Sequence, residues 1–284
     1  MGYGDIGERV ARRLAGPWRA LALRRRATEV PPGVRGIAVD LTQADTLTRL
    51  EELAPDALLV TLSPGERSAE GYRRGFTEAM THIVAGLGAH RPSRAFFISS
   101  TRVYAEAGGA WVDESGPLAM DSDQARAIID GENTFLEGLP GSVVLRAGGL
   151  YGHGPGPLLR AVAAGRLRSR EPVVFGNRIH RDDVAAFIVR ALEHPPVERI
   201  VNLCDDGVVP LQEVEAWLCD QLRRSYDPPH AEPAGAAPSH KRIRNDRLHE
   251  TGYELQYPDY RSGYELVLRQ WMEHSDREDG LDLH

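Results

Sequence analysis

Gly2-Tyr3-Gly4-Asp5-Ile6-Gly7 opens the chain and runs straight into Ile6 to Leu14, where Ile6, Val10, Ala11 and Leu14 share one helical face. In such a G-x-G-x-x-G run the first glycine permits a tight turn. The second lets backbone approach a diphosphate closely, and the third lets helix pack on strand. The helix that follows turns its free N–H groups toward the phosphates. A purely structural glycine turn is the competing reading. The context favours a ligand: an apolar run, Ala20 to Leu23, follows, and about 20 residues beyond such a motif lies the position that reads the ribose 2′ group. There the chain carries Arg24, Arg25 and Arg26 and no acid. A carboxylate would accept from a free 2′-hydroxyl and repel a 2′-phosphate, whereas guanidinium forks pair with the phosphate. These residues favour NADP over NAD; the alternative is a solvated basic surface.

The rest of the composition narrows the class. With 284 residues, 42% of them hydrophobic and 26% charged, the chain can bury a large core without metals or disulfides. Its length suits two domains or one large α/β unit. No run of 18 apolar residues occurs, so no membrane-spanning helix is expected. A net charge of -7 argues against a nucleic-acid binder. The arginine-rich first 26 residues are interrupted by Asp5 and Glu8, which reads as folded chain and not as a transit peptide. Cys204 and Cys219, the only cysteines, cannot form a disulfide framework and fit a reducing cytoplasm. Histidine and cysteine spacings show no metal motif, and neither a G-x-S-x-G elbow nor a G-K-[ST] phosphate loop is present.

Short apolar runs alternate with amphipathic stretches, the pattern of a doubly wound parallel α/β sheet. Strands are expected at Ala20 to Leu23, Val34 to Val39, Ala57 to Thr61, Ala95 to Ser99, Ser142 to Arg146 and Ile200 to Leu203. Helices are expected at Ile6 to Leu14, Tyr72 to Leu87 and Asp123 to Leu136. This divides the chain into a Rossmann-type dinucleotide-binding domain over 1–150 and a smaller substrate region over 151–272 that returns one strand, 200–203, to the sheet. Pro228 to Pro238 reads as a loop, and 273–284 as a flexible tail. In this architecture a central strand ends at the first glycine, yet only Met1 precedes Gly2. The first strand is therefore expected to be missing from this sequence, the native reading frame starting upstream.

Taken in order, several short pieces resemble the short-chain dehydrogenase/reductase superfamily, in the extended or atypical branch of NAD-dependent epimerases and dehydratases. They are Gly2-Tyr3-Gly4-Asp5-Ile6-Gly7, Asp40-Leu41, Leu62-Ser63-Pro64, Ser99-Ser100-Thr101-Arg102-Val103-Tyr104, Leu145 to Gly152, Ile179 to Ala185, and Lys241-Arg242-Ile243 with Asn245 and Leu248. The resemblance implies that Asp40, with Leu41 beside it, contacts adenine, that Leu62, Ser63 and Pro64 run along the nicotinamide ribose, and that Ser100 holds the active-site serine position. It also implies a homodimer through the helices Tyr72 to Leu87 and Asp123 to Leu136.

The superfamily's catalytic pair, Tyr-x-x-x-Lys on one helix face, is absent. Alignment from Glu132 puts Gln124 and Ile128 there, and Lys241, the only lysine, has no tyrosine four residues before it. Proton movement then falls to Ser100, Tyr151, His180 or water. Tyr104, Arg126, His153 and Arg181 also belong near the carboxyl ends of the strands. For Tyr104 buried packing with a bonded hydroxyl is the plainer reading. His180 and Asp183 read more simply as ties between the second region and the sheet. Arg126 is either an anion ligand or a surface residue. The function implied is an oxidoreductase or epimerase-type enzyme on a small polar substrate, with a sugar- or nucleotide-linked one as a candidate. The alternatives are a catalytically silent dinucleotide sensor or scaffold and a degraded paralogue.

Overall fold

Strands buried on both faces need apolar residues at successive positions, and here neighbours divide between two cores. Phe96 and Ile98 face one cluster and Phe97 the other; Val143 and Leu145 likewise face away from Val144. The computed structural model describes residues 1–14, 18–169, 171, 173–229 and 240–279. Strands β1 (Leu21–Arg24) and β2 (Arg35–Ala38) form a parallel pair. Strands β3 (Ala57–Thr61), β4 (Arg94–Ser100), β5 (Val143–Ala147) and β6 (Ile200–Leu203) form a four-stranded parallel sheet in that order. The α/β class and the return of 200–203 to the sheet agree with the sequence reading.

Helix α1 (Asp5–Arg13) and helix α5 (Arg181–Glu193) cover one face, where Ile6, Val10, Val184, Phe187 and Ile188 are buried. On the other face lies α2, built from Ala69–Tyr72, a π-helical stretch Arg73–Glu78 and Ala79–Gly86, packed beside α3 (Asp123–Gly138). The α2 helix begins before the apolar periodicity does, because the Ser68 hydroxyl accepts from Gly71 N at 3.0 Å and caps it.

A third cluster builds the second region. Leu159 and Val162 of α4 (Gly156–Ala163) meet Val214 and Leu218 of α6 (Leu211–Gln221) and Tyr260, Tyr264 and Leu268 of α7 (Tyr260–Asp279). The α7 helix continues to Asp279, through part of the stretch expected to be a flexible tail; residues 280–284 lie outside the described residues. Most of the Pro228 to Pro238 loop, from 230 on, also lies outside them.

Between β1 and β3 the described residues place only Met1 to Tyr3. Tyr3 N donates to Leu23 O at 3.1 Å, Thr61 N donates to Met1 O at 3.0 Å, and the Met1 amino group donates to Leu59 O.

Candidate cofactor and active site

The opening glycines do three different jobs. Gly2 has φ +66, and a Cβ on it would stand 1.9 Å from Thr61 O, so only glycine makes this turn. Gly4 precedes α1, and its nearest heavy atom to a built Cβ is 3.8 Å away, which leaves its backbone open to approach. A Cβ on Gly7 would stand 3.0 Å from the Tyr3 ring, so the third glycine lets helix pack against aromatic ring. Ile6 turns its side chain into the core at 5% exposure, in keeping with its place on the apolar helical face, and offers its backbone N–H to a ligand. Asp5 is held at the helix start by Arg9 at 3.0 Å, Arg181 at 2.9 Å and His153 at 3.2 Å. Two guanidinium groups and an imidazole thus surround the Asp5 carboxylate at the start of α1.

In front of Gly2 opens a cavity of about 800 Å³. Gly2, Arg24, Arg25, Arg26, Asp40, Leu41, Leu62, Ser63 and Pro64 all line it, so the structure gathers residues that are up to 62 positions apart in sequence. Asp40 Oδ1 accepts from Thr42 N at 3.0 Å and from Thr42 Oγ1 at 2.7 Å, and these bonds hold its carboxyl below the usual range. Two features were not foreseen. Arg74, on the π-helical stretch of α2, also lines the cavity. Glu29 pairs with Arg24 at 3.1 Å and Arg26 at 3.2 Å, so an acid does stand beside the arginine cluster, brought there by the turn that follows β1. Arg25 remains exposed near Asp40.

Ser100 ends β4, and its hydroxyl accepts from Arg102 N at 3.2 Å, capping the turn Thr101–Val103. At the positions expected for the catalytic pair, Gln124 accepts from Arg102 at 3.1 Å and donates to Arg67 O at 3.0 Å, while Ile128 is 1% exposed in the core. Lys241 is elsewhere: its Nζ donates to Thr101 O at 3.3 Å and Tyr104 O at 2.6 Å, holding the turn that follows Ser100 from behind. Burial and the neighbouring Arg102 lower its pKa to about 8. No local signal marks this role, which joins positions 140 residues apart.

Tyr151 and His180 do meet, edge to face, with ring centroids 5.2 Å apart. His180 Nδ1 accepts from Asp182 N at 3.2 Å and caps α5, and burial lowers the imidazole to about 4, so it is neutral near pH 7. The Tyr151 phenol is raised by burial and donates to Asp259 O at 3.3 Å. A cavity of about 690 Å³ beside this pair is lined by Tyr151, Tyr264, Arg166, Arg168, Arg178, Arg181 and the Gly152 to Gly156 loop; Ser100 is not among its lining residues. Arg126 donates to Met120 O at 3.0 Å on the surface. Tyr104 is buried, its hydroxyl donating to Asn202 at 2.6 Å. Asp183 accepts from Tyr253, Gln256 and Tyr257, tying the second region to α5. Among the described residues no group of histidine, cysteine and carboxylate side chains could hold a metal ion.

Comparison with known proteins agrees with this geometry. The family described as NAD(P)H-binding matches residues 2–195. Protein YeeZ of Escherichia coli K12 is 32% identical over 213 residues, 72% of each chain. A solved structure described as an NAD-dependent epimerase/dehydratase from Methylobacillus flagellatus is 33% identical, with a TM-score of 0.77 over 95% of this chain and 96% of that one. WbmG of Bordetella bronchiseptica, solved in complex with NAD, shares the fold at 16% identity, with a TM-score of 0.79 over 96% of this chain and 92% of that one. A glycine turn that only glycine can make, a long cavity at the carboxyl ends of parallel strands, and these likenesses together place the chain in the NAD(P)H-binding family, on the fold of the NAD-dependent epimerases and dehydratases.

Proposed function

We propose that this chain is an NADP-dependent oxidoreductase or epimerase-type enzyme acting on a small polar substrate that carries an anionic group. The observation that carries the reading is the 800 Å³ cavity, in which the Gly2 turn, three consecutive arginines and Asp40 share one wall system with Leu62 to Pro64. In this reading backbone N–H groups of Gly4 to Gly7 hold the diphosphate, and Asp40 and Leu41 bracket the adenine. Arg25, with whatever share of Arg24 escapes Glu29, takes the 2′-phosphate. Leu62, Ser63 and Pro64 follow the second ribose. A dinucleotide held by these residues would supply hydride chemistry at a substrate carbon. Ser100, at the end of β4, orients the reacting oxygen through its hydroxyl, and Tyr151, His180 or water carries the proton. Four arginines around the 690 Å³ cavity suit a phosphate or carboxylate on the substrate.

A second reading, a silent dinucleotide sensor, is favoured by one observation: Gln124 and Ile128 supply neither a titratable proton nor a charge. One experiment separates the two. Titration with NADPH and NADH should saturate below millimolar levels, and a panel of sugar, nucleotide-sugar and ketone substrates should change NADPH absorbance. Binding without turnover across the panel supports the sensor, and no saturation with either dinucleotide refutes both.

The reading places the enzyme in the cytoplasm, where its free, buried Cys204 and Cys219 stay reduced. It forms a homodimer through α2 and α3, whose outward positions include Glu70, Arg73, Asn133 and Glu137.

A further inference from the structure

Arg73 and Arg74 are neighbours on the π-helical stretch of α2, yet their surroundings differ. Arg73 is committed to acids: its Nε and Nη2 donate to the two Glu70 carboxylate oxygens at 2.9 and 2.7 Å, and its Nη1 donates to Glu78. Arg74 has Glu66 at 3.7 Å and Glu70 at 3.8 Å, both beyond hydrogen-bond reach and both on exposed side chains. Of the two, Arg74 is the one that lines the 800 Å³ cavity. Three further arginines line it: Arg24 and Arg26 pair with Glu29, and Arg25 stands where β1 ends, toward the ribose 2′ position. Arg74 is the lining arginine on the α2 wall.

The backbone around it is held close to the cavity. A Cβ on Gly71 would stand 2.3 Å from Glu66 O, and one on Gly75 would stand 2.8 Å from Ser63 O and 3.0 Å from Pro64 Cα. Glycine at both positions thus lets α2 press on the loop after β3. About two turns further on, His82 Nδ1 donates to Leu41 O at 3.2 Å. The helix therefore runs from the loop that follows the second ribose, in the dinucleotide reading above, to the segment that brackets the adenine. The diphosphate joins those two parts of the ligand. We propose that Arg74 clamps this diphosphate, its forked guanidinium donating to the phosphate oxygens from the α2 face of the sheet while the Gly4 to Gly7 amides approach from the α1 face. Arg74 then supplies the charge that backbone N–H groups lack.

This role rests on the dinucleotide reading, and equilibrium binding separates the two. Parent, Arg74→Gln, Arg74→Lys and Arg73→Gln proteins are titrated with NADPH, NADH, ADP-ribose and adenosine. Arg74→Gln should weaken the three diphosphates by the same factor, about tenfold, and leave adenosine and the NADPH-to-NADH ratio unchanged. Arg74→Lys should recover part of the loss as a point charge, and Arg73→Gln should change affinity by less than about twofold. Rising salt should weaken NADH binding less steeply in Arg74→Gln than in the parent, since one ionic contact is gone. Arg74 is half-exposed and its ion pairs are long, so the variant keeps its fold, which an unchanged Tm verifies. Equal affinities in parent and Arg74→Gln overturn the proposal alone. A loss confined to NADPH overturns it in favour of the 2′-phosphate, and an equal loss of adenosine overturns it in favour of the purine ring. A parent that binds neither dinucleotide overturns the dinucleotide reading as well.

Discussion

Replacement of Glu132 by leucine should destabilise the protein severely, because of what it leaves behind. Glu132 and Arg146 are 2% and 3% exposed and meet through Nη2 at 2.7 Å and Nε at 3.1 and 3.2 Å, with the Ser99 hydroxyl donating to the same carboxylate. At a charge separation of about 4 Å and an effective dielectric of about 20, the attraction is roughly 4 kcal/mol. Without Glu132, the guanidinium keeps a 3.5 Å contact with Glu114 O and its contacts with Tyr104, whose ring lies 5.0 Å from its Cζ, and no acid replaces the lost carboxylate among the contacts given for it. Leaving one buried charge unpaired costs about 3–5 kcal/mol, which for a chain of this order lowers Tm by about 10 °C. Replacing both partners, Glu132→Leu with Arg146→Met, should recover most of the loss, since two apolar side chains of similar size need no partner. Thermal and urea unfolding of the two single variants and the double variant measure this directly. A Glu132→Leu protein within about 1 kcal/mol of the parent, or a double variant weaker than the single, refutes the reasoning.

Other predictions follow from the site. Glu29→Gln should release Arg24 and Arg26 from their partly exposed ion pairs and tighten NADPH, leaving NADH nearly unchanged. The gain should be about fivefold, the size of one exposed pair redirected to phosphate; equal affinities for both dinucleotides in parent and variant would count against the arginine reading. His180 titrates near 6.5 unfolded and near 4 in the fold, so the unfolded chain takes up protons first as pH drops. Its contribution is fully present above pH 6.5 and is lost as pH falls through 4, by up to about 3 kcal/mol. Asp182, Arg9, Arg13 and Arg181 face the ring, and Asp205, raised to about 7 by burial, acts with the opposite sign. Unfolding between pH 4 and 7 in an Asp205→Asn background, with and without His180→Gln, isolates the imidazole, and identical slopes would reject the assignment.

The sheet and helices α1 to α3 were legible because each rests on local pattern, whereas α4 to α7 were not among the expected helices. Ala57–Thr61 and Ile200–Leu203 coincide with their expected bounds, and the other strands of the sheet shift by a residue at one or both ends, where flanking residues pair despite lower hydrophobicity. The Gly2 turn and the gathering of Arg24 to Arg26, Asp40, Leu41 and Leu62 to Pro64 around one cavity follow motifs that mark backbone positions. The π-helical stretch Arg73–Glu78 escaped a reading based on a 3.6-residue period, and with it Arg74. Ile6 was readable twice over, inside the glycine motif and on the apolar helical face, and its side chain belongs to the core. Glu29 and Lys241 depend on tertiary approach, which no local spacing encodes.

Lys241 has a practical consequence. Because it is the sole lysine and is buried, the chain presents no accessible ε-amine, and the cations of its exposed ion pairs among the described residues are guanidinium or imidazole groups. Isotopic labelling of that one amino acid type would therefore give a single ammonium resonance, bonded to Thr101 and Tyr104 and seated beneath Ser100. One spectroscopic reporter would follow the turn Thr101–Val103 that succeeds Ser100, free of background from the rest of the molecule.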